Sequence, residues 1–216
     1  MTPESERKPT TIFLIRHGQT PTTGMVLPGR APGLNLSETG IGQAKRVAER
    51  LKAVGDDQIA AVYASPMERT QQTAAPISQA LGLDTQVADG LLEADFGSWT
   101  GRELKELMKL PEWSQVQKAP SGFRFPDGES FSEMQFRICS TLQTFAERHS
   151  GRSVVAVSHA DPIKAAVAHA MGVHLDLFQR IVIGQCSVSV IQYSTGSPVA
   201  LSINSMGDDL KQLIPS

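Results

Sequence analysis

The sequence predicts an α/β protein, a three-layer α/β/α sandwich around a mostly parallel central sheet. Three observations lead there. Short uninterrupted apolar runs recur at Thr11–Ile15, Ile59–Ala64 and Ser153–Val157, as in strands covered on both faces. Each run is followed by a segment with helical character, and such alternation of strands and helices marks a parallel sheet. The chain has 216 residues and is 40% hydrophobic, which suits a single domain over 11–216 behind a disordered polar lead-in at 1–10.

The first strand, Thr11–Ile15, delivers Arg16, His17 and Gly18. Ser37 then reads as an N-cap, with Ile41, Ala44, Val47, Ala48 and Leu51 forming one apolar helical face before Gly55 ends the pattern. After the second strand, Ser65-Pro66 reads as an N-cap and first-turn proline for a helix running towards Gly82, with Pro76 placed to kink it. Thr85–Ala88 reads as a short third strand, and Glu103–Leu110 as a short helix stopping before Pro111. Between Glu112 and Gly128 the periodicity fails. Pro120, Gly122, Pro126 and Gly128 mark an irregular excursion there, either a cover for a site or a plain surface loop. Ser130–His149 resumes a long helix, the strand Ser153–Val157 ends at Ser158-His159, and a helix follows from Pro162 to Met171. Strands around Ser187–Tyr193 and Val199–Asn204, turning at Thr195-Gly196, complete the order.

Composition removes several function classes. The formal charge is −2 and the pI about 6.2, so no global basic field draws the chain to nucleic acid or an anionic membrane. The N-terminal residues lack the apolar core of a signal peptide, and no run of about 18 apolar residues suggests a span. A cytoplasmic protein is expected. The two cysteines, Cys139 and Cys186, lack the spacing of a zinc site or redox pair and read as buried free thiols. Neither metal nor cofactor is expected.

Ligands of open α/β sheets bind outside the carboxyl ends of the strands. Those ends are cationic here: Arg16 and His17 leave the first strand, Arg69 lies one turn into the helix after the second, and His159 leaves the fourth. Such a cluster repels itself unless an anion neutralises it, and four cationic groups suit a phosphate dianion better than a carboxylate. Helix N-termini after Ser65 and near Asp161 add N–H donors. His149, His169 and His174 lack this company and read as structural or solvent-facing.

Arg16-His17-Gly18-Gln19-Thr20 after an apolar strand resembles the signature of the histidine phosphatase, or phosphoglycerate mutase-like, superfamily. Four further segments resemble the family in order: Leu36-Ser37-Glu38-Thr39-Gly40; Ala64-Ser65-Pro66-Met67-Glu68-Arg69-Thr70; Leu91-Leu92-Glu93 with Phe96-Gly97-Ser98-Trp99; and Val157-Ser158-His159. The resemblance implies a phosphoglycerate mutase-like fold, His17 as nucleophile, Arg16, Arg69 and His159 as the phosphate pocket, and Glu93 as proton donor. The physics agrees. His17 must be neutral to attack phosphorus, which neighbouring Arg16, Arg69 and a charged His159 favour. An alkoxide leaves badly without a proton, which a carboxyl held neutral can supply. Asp95 competes for that role, but the motif register favours Glu93. Two departures stand out: Ala160 and Asp161 follow the second histidine where many members have Gly, and Thr23 stands where an Asn often joins the pocket. Thr23, Gly29 and Arg30 are candidate substrate contacts, Arg30 for a second anionic group or as a solvent-facing residue.

The leading expectation is a metal-independent histidine acid phosphatase-type phosphomonoesterase, acting on a small phosphorylated metabolite through phosphohistidine. The alternative is a phosphoglycerate mutase, which returns the phosphoryl group to another hydroxyl. Family mutases carry longer insertions than Glu112–Gly128, which favours hydrolysis. A noncatalytic phospholigand-binding domain and a metallohydrolase using His159 and Asp161 are weaker readings. Substrate and oligomeric state are not legible.

Overall fold

The computed structural model describes residues 8–55 and 58–207. Most of the lead-in thus lies outside the described residues, and the chain is engaged earlier than expected, since Thr10 already opens the first strand. The strands are β1 (Thr10–Arg16), β2 (Ile59–Ala64), β3 (Thr85–Val87), β4 (Ser153–Ser158), β5 (Val188–Tyr193) and β6 (Val199–Ser205). The helices are α1 (Glu38–Lys52), α2 (Glu68–Leu81), α3 (Leu104–Leu107), α4 (Trp113–Lys118), α5 (Phe131–Arg148) and α6 (Ala160–Ala170).

The six strands form one sheet in the order β3-β2-β4-β1-β5-β6. β1, β2, β3 and β4 run parallel, while β5 pairs antiparallel with β1 and β6 antiparallel with β5. Alternate side chains of β1 enter different cores: Phe13 and Ile15 pack towards α1 and α2, Ile12 and Leu14 towards α5 and α6. Both faces of the central strands are therefore covered, which is why they read as continuous apolar runs.

Several boundaries differ from expectation for identifiable reasons. Ser37 does cap α1, accepting from the Gly40 N–H at 3.1 Å. Ile41 is 47% exposed, so the buried face is Gly40, Ala44, Val47, Ala48 and Leu51. Gly40 is fixed by close approach: a Cβ there would sit 2.1 Å from the Gln19 carbonyl oxygen. Ser65 does not cap α2. The helix starts at Glu68 after Met67, and Ser65 continues the sheet, its N–H donating to Val157 O at 3.0 Å. α2 runs unbroken through Pro76.

The stretch 112–128 is less irregular than its prolines suggest. It contains α4 and a 3-10 turn at Pro120–Gly122, and it buries Val116, Phe123 and Phe125 in the α5/α6-side core. Phe123, Phe125 and Phe131 pack with Trp99 and Phe96 as a chain of aromatic edges and faces. This packing anchors the excursion without regular periodicity. α5 opens with a capping box between Ser130 and Glu133. Among the described residues no helix is long and apolar enough to cross a membrane.

Candidate active site

Adjacent carboxyl ends of β2, β4 and β1 bring the chemistry together. The ladder continues one step past the strands: His17 N–H donates to Ser158 O at 3.0 Å, beside the Ser65–Val157 bond. Ser65, His159 and His17 consequently stand side by side, with the two imidazole centroids 5.3 Å apart. Arg69, fully buried in the first turn of α2, reaches the same point.

His17 is 6% exposed and its Nδ1 lies 2.8 Å from the Gly18 carbonyl oxygen. A carbonyl only accepts, so Nδ1 carries the proton and Nε2 holds a lone pair. Burial, with added repulsion from Arg69 and Arg16, pushes the His17 pKa down to about 3, so the ring is neutral and nucleophilic at physiological pH.

His159 corrects the expectation of a second cationic imidazole. Its Nδ1 lies 3.2 Å from Arg69 Nη2, which only donates, and its Nε2 lies 2.9 Å from Ser65 Oγ. The ring is thus a neutral tautomer that accepts at Nδ1 and donates at Nε2. Complete burial and Arg69 hold its pKa well below the usual histidine value. The permanent positive charge comes from the two arginines.

Both arginines are oriented yet incompletely bonded. Arg16 Nη1 donates to Ile183 O at 2.7 Å, and Arg69 Nη2 donates to Gly29 O at 2.7 Å. Arg16 Nε, Arg69 Nε and Arg69 Nη1 are buried with no hydrogen-bond partner among the described residues. Unsatisfied buried guanidinium N–H groups are costly. The three belong to the two arginines whose charges act on His17, and an oxyanion is the kind of group that would satisfy them.

Glu93 lies at the same cavity, 8% exposed. Its Oε1 accepts the Ala94 N–H at 2.9 Å. Burial first, then the negative charge of Asp161, raises its pKa to about 7, against the opposing pull of Arg69 and Arg16. Asp95 is held apart: its Oδ1 accepts the Gly97 N–H at 3.0 Å and its side chain is 45% exposed.

Two candidate substrate contacts serve the frame instead. Gly29 presents its carbonyl to Arg69 from a left-handed backbone, φ 51°, so it positions a guanidinium. Arg30 does not reach into the cavity. Its Nε donates to Glu93 O at 2.8 Å and its Nη2 to Glu129 Oε2 at 3.0 Å. Thr23 does line the cavity, its Oγ1 accepting the Thr20 N–H at 2.9 Å, and Ala160 lines it from the start of α6.

Sequence reasoning missed the groups that hold these positions. Arg137 of α5 donates to the carbonyls of Gly90 and Leu92 at 2.9 Å each, and to Glu129. Glu129 therefore joins Arg137 and Arg30 beneath the loop carrying Glu93. Apart from Arg137–Glu129, eight positions apart, these contacts link residues more than 40 positions apart, and no local spacing announces them. Ser65 was visible in the sequence, but its cap-like position concealed its bond to His159. Among the described residues no three His, Cys, Asp or Glu side chains cluster as metal ligands; Asp161 pairs with Lys164 at 3.1 Å.

Fold and site together define an α/β protein with two incompletely bonded buried arginines and an uncharged histidine at the exit of its central strand. The chain belongs to the histidine phosphatase superfamily (branch 1), whose family model matches residues 12–206. It is 32% identical over 198 residues to phosphoserine phosphatase 1 of Hydrogenobacter thermophilus, covering 89% of this chain and 91% of that one. It is 30% identical to the probable phosphoglycerate mutase GpmB of Yersinia pestis (strain Pestoides F), covering 91% and 92%. The crystal structure of a phosphoserine phosphatase from Entamoeba histolytica superposes with a TM-score of 0.82 at 24% identity, over 93% of this chain and 100% of that one.

Proposed function

We propose that the protein hydrolyses phosphomonoesters of small metabolites through a phosphohistidine on His17. The carrying observation is the neutral His17, with Nδ1 tied to Gly18 O and Nε2 free, beside three unpartnered guanidinium N–H groups. Arg16 and Arg69 bind the phosphoryl oxygens. Nε2 attacks phosphorus as the ester P–O bond breaks, and Glu93 gives its proton to the departing alkoxide. Water then attacks phosphohistidine, the P–N bond breaks, and the Glu93 carboxylate takes the proton from water, restoring the acid. His159, bonded to Arg69 and Ser65, orients the Arg69 guanidinium. Thr23 is a further substrate contact from the opposite loop.

None of these steps requires a metal. The curated relatives favour hydrolysis through the phosphoserine phosphatase name and mutase chemistry through the GpmB name. The unpaired Cys139 and Cys186 fit a cytoplasmic setting. The test is phosphate release from a panel of phosphomonoesters in EDTA, comparing wild type with His17→Ala. Release that survives EDTA and vanishes in the variant supports the reading. Isomerisation of phosphoglycerate with little release makes the protein a mutase, and loss of release in EDTA overturns the metal-free mechanism.

A further inference from the structure

The cavity over His17 is about 280 Å³, near the lower end of small-molecule sites, and its lining is mixed. Its polar lining includes Thr22, Thr23, Gln117, Asp161, Lys164 and Gln179. Its apolar lining includes Val26, Leu27, Leu104 and Trp113. None of these four reaches the burial of a core residue; all are half-buried. They come from three separate segments: the loop after β1, the start of α3 and the start of α4. Val26 pairs with Glu103 in an isolated bridge and Leu104 N–H donates to Met25 O at 2.9 Å, so the wall is held in place by backbone bonds. Trp113 is steadied by Trp99, ring centroids 6.3 Å apart at 24°.

A wall of partly wet apolar side chains, built onto a phosphate site by three segments, gains free energy only when an apolar ligand surface displaces its water. A three-carbon polar alcohol such as serine or glycerate offers little such surface. We infer that the preferred substrates are phosphomonoesters whose alcohol carries an apolar body of at least ring or butyl size, lying against Leu27, Leu104 and Trp113. This rests on the phosphatase reading and narrows its substrate class.

The test compares kcat/KM for methyl, ethyl, butyl, hexyl and 2-phenylethyl phosphates with that for phosphoserine. Across the alkyl series leaving-group basicity is similar, so differences report binding of the chain. Each buried methylene is expected to raise kcat/KM about three- to fourfold, and ethyl to butyl on the order of tenfold. Trp113→Ala and, separately, Leu104→Ala should lower the hexyl-to-methyl ratio. A flat series, a preference for phosphoserine over hexyl and phenylethyl phosphates, or ratios unchanged in both variants overturns the inference while leaving the phosphatase reading intact. No release from any substrate overturns both.

Discussion

Glu93→Gln separates chemistry from stability at one atom. The amide keeps the Oε1 acceptor for the Ala94 N–H but has no proton to give. General acid catalysis is worth roughly 10² to 10⁴ in rate, and the loss should fall on alkyl esters, whose leaving group needs protonation. Phosphoserine turnover should therefore drop by about that factor, while p-nitrophenyl phosphate, with a stable leaving anion, should lose far less. In the wild type, phosphorylation from an alkyl ester should decline as pH rises through about 7, the pKa that burial and Asp161 impose on Glu93. Stability moves oppositely in the variant. Between the ordinary carboxyl value of 4.5 and about 7, the folded wild type holds a proton that the unfolded chain has released. Wild-type stability thus falls with rising pH across that window by about 1.4 kcal/mol per unit, about 3 kcal/mol in all. Glu93→Gln lacks this term, so its urea midpoint should exceed that of the wild type at pH 8 and approach it at pH 4.5. Equal loss on both esters, or an unchanged stability difference between pH 4.5 and 8, would refute the assignment of a buried neutral acid.

Gly29→Ala places a Cβ at φ 51°, 2.9 Å from Thr100 Oγ1 and 3.1 Å from Phe96. Backbone strain of about 1–2 kcal/mol is expected, with a raised KM as the carbonyl shifts off Arg69, seen in thermal unfolding and steady-state kinetics. Ser65→Ala leaves the buried His159 Nε2–H without its acceptor; a loss of about 1–3 kcal/mol is expected, with weaker competitive inhibition by inorganic phosphate. Asn204 adopts φ 57° and its Oδ1 accepts the Gly184 N–H at 2.6 Å, next to the Ile183 carbonyl that holds Arg16. Asn204→Ala should raise KM several-fold, and Asn204→Asp, which keeps an acceptor and tolerates the left-handed backbone, should restore it.

The parallel core strands and the groups at their ends were legible because burial on both faces leaves a continuous apolar run, and the run ends where the site begins. Arg16, His17, Arg69 and His159 converge at the strand ends, and Glu93 shares the cavity with Arg16 and His17. Protonation was less legible. His159 looked cationic beside other cations, but complete burial and the Arg69 donor make it an acceptor. Supporting contacts were the least legible: Arg30, Gly29 and Ser65 each had a plausible local role, and each is claimed by a partner 40 to 94 positions away. The stretch 112–128 failed for the opposite reason, since aromatic packing organises it where periodicity does not.

The placement of β1 also bears on how the polypeptide is made. Its neighbours in the sheet are β4 and β5, both from the later part of the chain. At about 5–20 residues per second, the roughly 140 residues separating β1 from β4 take on the order of ten to thirty seconds to synthesise. Through that interval Thr10–Ile15, apolar, β-prone and free of proline and charge, has neither partner strand, the profile of an aggregation-prone segment. Nascent chains should therefore depend on holdase chaperones, and recombinant yield on slow growth and low temperature. The finished molecule carries no such hazard at β1, because both of its edges are paired.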